Sequence, residues 1–412
     1  MTTSVLVLGA GMVGTCTALH LALRGHRVTL VDRKGPGQET SYGNAGIIQR
    51  EAVQPYAFPR EPDVLAKMLL GQGAALHYHW GALPALAPRL LRYWCNSHPE
   101  RHAAATRHYA RLIEHALSEH EPLIRAAGAE DLVRQVGYRV VYRDARALQQ
   151  GADEARAVAQ AYGLRHAVLD AQALAQAEPA LRMPLAGAVH WLDPWVVSDP
   201  GELVQRYAQA LERAGGVIAQ GDATTLRATA RGWAVRTQAG EVDAEHAVVA
   251  LGPWSETLTR RFGYRLPLFV KRGYHRHYRG GEGPRIPLLD EAGGYVLAPM
   301  RRGVRLTTGA EFAFVDAPPT PVQVDRAYAQ ARRLFDLPEP VEAQPWMGAR
   351  PCTVDMLPVI GPAPRHARLW FNFGHAHQGF TLGPVSGRLM AELIEGGPTV
   401  VDPAPYAPTR FG

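Results

Sequence analysis

Near its amino terminus the chain carries Gly9-Ala10-Gly11-Met12-Val13-Gly14, three glycines at the spacing G-x-G-x-x-G, with an aspartate at position 32. The chemistry open to this set is anion binding by the main chain. Gly9 permits a tight turn, Gly11 lets the backbone approach a pyrophosphate, and Gly14 lets a helix pack closely on a strand, with the diphosphate at the helix N-terminus. The elements that must position these residues are a buried strand over 4–8, a helix over 15–24 stopped by Gly25, and a second strand over 26–31 that delivers Asp32. A carboxylate there accepts hydrogen bonds from both adenosine ribose hydroxyls and repels a 2′-phosphate, which disfavours NADP, with Arg33 and Lys34 next to it as countervailing charges. The fingerprint leaves NAD and FAD both open.

A loop of small and polar residues follows, Glu39 to Ile48, in which backbone N–H groups can approach an extended ligand closely. Taken together, GAGMVG, VDR and TSYGNAGIIQ resemble the amino-terminal signature of the D-amino-acid oxidase and dehydrogenase superfamily, its D-amino-acid dehydrogenase small-subunit type in particular. The resemblance implies FAD. Gly9, Ala10, Gly11, Met12, Val13, Gly14, Asp32 and Arg33 would bind its adenosine diphosphate part, while Thr40, Ser41, Asn44, Ala45, Gly46 and Ile47 would run beside the pyrophosphate and flavin. It also implies an α/β fold: a Rossmann-type, glutathione-reductase-like FAD domain from 1–60, 190–264 and 345–412, and an α+β substrate domain on a mixed or antiparallel sheet from 61–189 and 265–344. Within the FAD domain, Ala223 would pass the adenine, and Ala250, Gly252 and Trp254 would stand at the flavin side.

Met347-Gly348-Ala349-Arg350-Pro351, Asp355 and Pro358-Val359-Ile360-Gly361 resemble the family's G-x-R-P…D-x-x-P-x-I-G signature. A guanidinium there would hold a substrate carboxylate by two parallel charge-assisted hydrogen bonds, which makes Arg350 the candidate clamp. Asp355 reads as structural. Some relatives carry a cysteine bonded to the flavin in this region; its position here is Gly348, with Cys352 elsewhere, so noncovalent FAD is expected. The loop Phe373 to Pro384 matches the family's G-H-x-x-x-G segment at the flavin pyrimidine edge, through His375, Gly379, Phe380 and Thr381. His377 replaces an arginine of the glycine-oxidase branch, and its imidazole suits a substrate amine or hydroxyl. Tyr274 lies where relatives place substrate contacts; strand alternation allows only one of Tyr274 and His275 to face the flavin.

The resemblance implies oxidation of the Cα–N bond of a small D-amino or imino acid, D-proline and hydroxy-D-proline included. Hydride passes from Cα to flavin N5, and the imine is hydrolysed to a 2-oxo acid. A glycine- or sarcosine-type oxidase and a flavin-dependent tRNA-modifying enzyme are the alternatives. The electron acceptor, quinone, carrier or O2, is left open.

Composition bounds the rest. With 412 residues, 47% of them hydrophobic and 20% charged, the chain can bury a large core. Its net charge is +6, yet the basic residues are spread along the chain and only Lys34, Lys67 and Lys271 are lysines, so no nucleic-acid surface is expected. Cys16, Cys95 and Cys352 form no C-x-x-C pair, which argues against zinc and for a reducing compartment; no metal is expected, and the location expected is cytoplasmic. No transmembrane run occurs, while the Leu- and Trp-bearing stretch 55–109, including Lys67 to Leu70, reads as core, a lid or a peripheral membrane contact. A long amphipathic helix is expected over 103–127 with a break at Pro122, and another over 144–161 with Gly151 as its weak point.

Overall fold

The computed structural model describes residues 2–60 and 76–412, so the Lys67–Leu70 run lies outside the described residues. Ser4–Leu8, a run of β-branched residues and leucine buried on both faces, pairs in parallel with Arg27–Asp32 on one side and His246–Val249 on the other. Around this centre an eight-stranded sheet forms, in the order Gly240–Ala244, Trp233–Thr237, Val217–Ala228, Arg27–Asp32, Ser4–Leu8, His246–Val249, Leu369–Phe373 and Val359–Pro362. The helices Met12–Leu23 and Gly379–Glu395 cross on one face of it, where Gly387 lets them touch: a Cβ there would stand 2.7 Å from the Cys16 carbonyl carbon. The helix Pro200–Arg213 packs beside them, its first turn capped by Asp199, whose carboxylate accepts the Glu202 N–H at 3.0 Å.

A second, mixed sheet is organised on the long strand Leu268–Arg279, which pairs with Ala310–Phe312, Gly303–Thr307, Glu339–Pro340 and Trp346–Thr353. Tyr295–Met300, Leu288–Asp290, Tyr138–Tyr142, Gly187–Trp191 and His166–Asp170 extend it. The α/β expectation holds. The sheets divide the chain at points other than those expected, however. Trp346–Thr353, expected with the nucleotide half from residue 345 on, belongs to the second sheet and carries Arg350 there. The helices Pro99–Glu114 and Ala116–Ala127, expected with the substrate half, pack on Gly379–Glu395 of the nucleotide half.

Those two helices replace the single one expected over 103–127. The break falls at His115, and Pro122 sits inside the second helix. Bending there leaves both helices packed on Gly379–Glu395. Gly151 does not weaken the helix Ala145–Tyr162; a Cβ there would stand 2.1 Å from the Tyr142 hydroxyl, so the glycine serves close packing.

Candidate active site

The turn after Ser4–Leu8 is built for an anion. Gly9 has φ +104°, and a Cβ on it would stand 2.5 Å from the Ala250 carbonyl oxygen, so no other residue fits. Asp32 braces the turn from the neighbouring strand by accepting the Ala10 N–H at 2.8 Å and the Lys34 N–H at 2.8 Å. Ser41 Oγ accepts the Met12 N–H at 2.9 Å, and the first helical bond, Thr15 N–H to Gly11 O at 2.9 Å, leaves the Val13 and Gly14 N–H groups ahead of it. Asn44 Oδ1 accepts the Gly46 N–H at 2.8 Å, which shapes the following loop. Arg33 leans on Trp254, 4.1 Å above its ring, and pairs with Glu39 at 2.7 Å, so it forms part of the wall.

From this turn a single cavity of about 550 Å³ runs to the second sheet. Every expected cofactor residue lines it, including Thr40, Ala45, Ile47, Ala223, Gly252, Gly379 and Phe380, except Ala10, Gly14, Gly46 and Thr381, which stand behind the wall. Thr381 supports it from there, its hydroxyl accepting the Gln49 N–H at 3.2 Å.

At the far end stands Arg350. Its Nη1 donates to the Gly309 carbonyl at 2.9 Å, with longer contacts of 3.4 Å to the carbonyls of Arg272 and Thr308. No carboxylate among the described residues pairs with it. Tyr274 borders the same chamber, but its side chain rises from the face of the strand opposite Arg350 and packs into the core there, its hydroxyl donating to Glu311 Oε2 at 2.8 Å and accepting the Thr320 N–H at 2.8 Å. It thereby joins a fully buried Arg272–Glu311 pair at 2.6 Å. His275, on the same face of that strand as Lys271 and Gly273, stacks on Trp346 at 4.8 Å.

The two histidines of the carboxyl-terminal loop differ. His375 Nε2 lies 3.0 Å from Ser386 Oγ and ties the loop to the helix; burial pushes its imidazole down to about 3, so it is neutral. His377 is half-buried beside Tyr56, ring centroids 4.5 Å apart, and its Nδ1 is shielded from solvent without a partner. Burial first, then the charges of Arg350 and Lys271, hold it well below the usual histidine range.

Sequence reasoning missed several wall residues. Gly273 is one, on the strand opposite Gly348; its signal was a glycine inside an otherwise continuous strand pattern. Trp346 is another, wedged between Gly43 and Gly348, where a Cβ would meet its ring at 1.8 and 2.2 Å. Gln49 and Tyr138 line the chamber, and buried Glu51 sits behind them, accepting from Gln49 Nε2 at 2.7 Å.

The glycine turn leaves no room for a Cβ yet presents free N–H groups at a helix N-terminus, a fit to the diphosphate of a dinucleotide. Cofactor cradle and guanidinium chamber share one cavity roofed by a second sheet, which is the build of a flavin-dependent oxidoreductase. The chain belongs to the family described as FAD dependent oxidoreductase, DAO, whose profile matches residues 4–393. It is 31% identical to a D-amino acid dehydrogenase of Chromohalobacter salexigens, over 99% of each chain. It is likewise 31% identical to a D-amino-acid oxidase of Bradyrhizobium diazoefficiens, over 99% of this chain and 98% of the relative. Among solved structures it is similar to glycine oxidase from Geobacillus kaustophilus, with a TM-score of 0.72 at 23% identity, covering 99% of each chain. L-proline dehydrogenase from P. horikoshii shares the fold at a TM-score of 0.71 and 16% identity, covering 100% of this chain and 98% of that one. The expected FAD dependence and fold are thus borne out.

Proposed function

We propose that the protein oxidises the Cα–N bond of a small D-amino or imino acid. The observation that carries this reading is a guanidinium, Arg350, fixed by backbone carbonyls and free of any acidic partner among the described residues, facing the cavity that begins at the dinucleotide turn. Such a group seeks a carboxylate. FAD in the cradle supplies the two-electron acceptor. Arg350 orients the substrate by its α-carboxylate, and neutral His377 offers a ring nitrogen that can accept from the amine. Loss of hydride from Cα leaves an imino acid; water adds to it and ammonia departs, giving a 2-oxo acid, or a cyclic imine forms from a proline-type substrate. The D configuration is taken from the names of the relatives matched along the full chain.

No helix among the described residues is long and apolar enough to cross a membrane. A cytoplasmic location with peripheral membrane contact is part of the same proposal, and free Cys16, Cys95 and Cys352 suit a reducing compartment.

The test is anaerobic mixing of the yellow protein with D- and L-alanine, D-proline, hydroxy-D-proline, sarcosine and glycine. Bleaching by the D-amino or D-imino acids supports the reading; bleaching by sarcosine or glycine alone replaces it with the oxidase alternative. Reoxidation by O2 or by a soluble quinone then identifies the acceptor.

A further inference from the structure

Lys271 and Arg350 are directly opposite partners in the antiparallel pairing of Leu268–Arg279 with Trp346–Thr353, so their side chains rise from the same face of the sheet. Like charges placed in that way destabilise a sheet. Neither is neutralised by an acid among the described residues: Arg350 is bonded to carbonyls, and Lys271 Nζ donates to Tyr93 Oη at 2.8 Å and sits over the ring of Tyr93 at 4.4 Å, with Phe269 and Phe312 beyond. Burial lowers the Lys271 ammonium from the usual lysine range. Buried charges are ordinarily paired.

Among the described residues, the acids nearby are committed elsewhere. The acidic residues lining the main cavity, Asp32, Glu39 and Asp222, stand on the nucleotide half, while Glu311 holds Arg272 and Glu51 holds Gln49. A second cavity of about 20 Å³ lies against Lys271 and Cys352, and Tyr56, Ala376 and His377 line both cavities, forming the partition between them. That volume holds about one water. Tyr56 lines the main cavity and is 56% exposed, so its ring is not closely packed on that side.

We propose that the preferred substrate is a dicarboxylic amino acid, its α-carboxylate on Arg350 and its side-chain carboxylate passing Tyr56 and His377 to reach Lys271. This rests on the amino-acid oxidation proposed above and narrows its substrate class. The two cations, unpaired with any acid among the described residues and otherwise a cost to the sheet, become the counter-charges of a dianionic ligand.

The experiment compares D-glutamate with D-glutamine and D-aspartate with D-asparagine, pairs matched in shape and differing in charge, by anaerobic flavin reduction. The expected result is a kcat/KM at least tenfold higher for the acid of one pair, a ratio that Lys271→Met brings near one and Lys271→Arg largely keeps. Flavin content is measured in each variant. If Lys271→Met fails to hold flavin, the wild-type difference spectrum decides: glutarate binding tenfold tighter than butyrate supports the proposal, and equal affinities overturn it. Bleaching by D-alanine or D-proline with no preference for either acid over its amide overturns the dicarboxylate assignment and leaves amino-acid oxidation standing. If no amino acid bleaches the flavin, both fall.

Discussion

The guanidinium of Arg350 occupies the space that a side chain at Gly273 would fill: a Cβ there would stand 2.5 Å from Nη2 and 2.7 Å from Cζ. The glycine serves as a seat for that guanidinium, since its backbone is ordinary strand. Gly273→Ala must therefore lift the guanidinium off the sheet. We expect flavin content to hold while KM rises and kcat/KM falls by about 10- to 100-fold, on the order of 1.4–2.7 kcal/mol. Steady-state kinetics on flavin-normalised enzyme checks this, and an unchanged KM would show that the clamp does not rest there.

Arg350→Met removes the charge outright. The loss of a desolvated bidentate contact costs about 2–5 kcal/mol, so kcat/KM should fall by more than the glycine variant does, again with FAD retained. Arg350→Lys restores charge without the planar fork and should recover only part of the loss. Near wild-type kinetics in Arg350→Met would move the carboxylate site to another residue.

Glu51 makes stability depend on pH. Burial, opposed only in part by the Gln49 and Tyr138 hydrogen bonds, pushes its carboxyl from 4.5 up to about 7. The folded chain thus binds more protons than the unfolded one between those values, so the contribution is full below about 4.5 and is lost as pH rises through 7. The span corresponds to about 3 kcal/mol. Glu51→Gln cannot ionise, so its melting temperature relative to wild type should climb from pH 5 to pH 8. A flat difference across that range would rule the buried carboxyl out as its source.

We expect the flavin to be held without a covalent bond, and Gly348 is the reason. A side chain there would meet the Trp346 ring at 2.2 Å, so the position has neither a thiol nor room for one, while Cys352 lies beyond Arg350 against the smaller cavity. Acid precipitation should release the flavin to the supernatant. Flavin that stays with the pellet would mean a covalent link through some other residue.

The nucleotide half was legible because its signals are local: a glycine turn between two β-branched runs, and an acid at the end of the second. Asp199 before Pro200 is an equally local signal, an N-cap residue ahead of a proline at the first helical position, and its carboxylate caps that helix. The chamber around Arg350 was legible only in part. Arg350 was found through its motif, but its seat at Gly273 and the carbonyls of Thr308 and Gly309 come from other strands, and cross-strand register is written nowhere in a local pattern. The Tyr274 hydroxyl went unread for the same reason, since Glu311 and Thr320 claim it from distant segments. His115 rather than Pro122 breaks the helical hairpin because the surface it wraps, Gly379–Glu395, is contributed from the far end of the sequence.

Trp346–Thr353 belongs to the second sheet, yet a few residues on the chain has joined the first at Val359–Pro362. The long cavity is consequently walled by both sheets, and whatever fills it acts as a thermal staple between them. Ligand that binds only the assembled cleft adds RT ln(1 + [L]/Kd) to its stability, about 2.7 kcal/mol at a hundredfold excess over Kd. Calorimetry should then find the flavin-loaded protein melting in one transition, and the flavin-stripped protein melting earlier with its two sheets less tightly coupled.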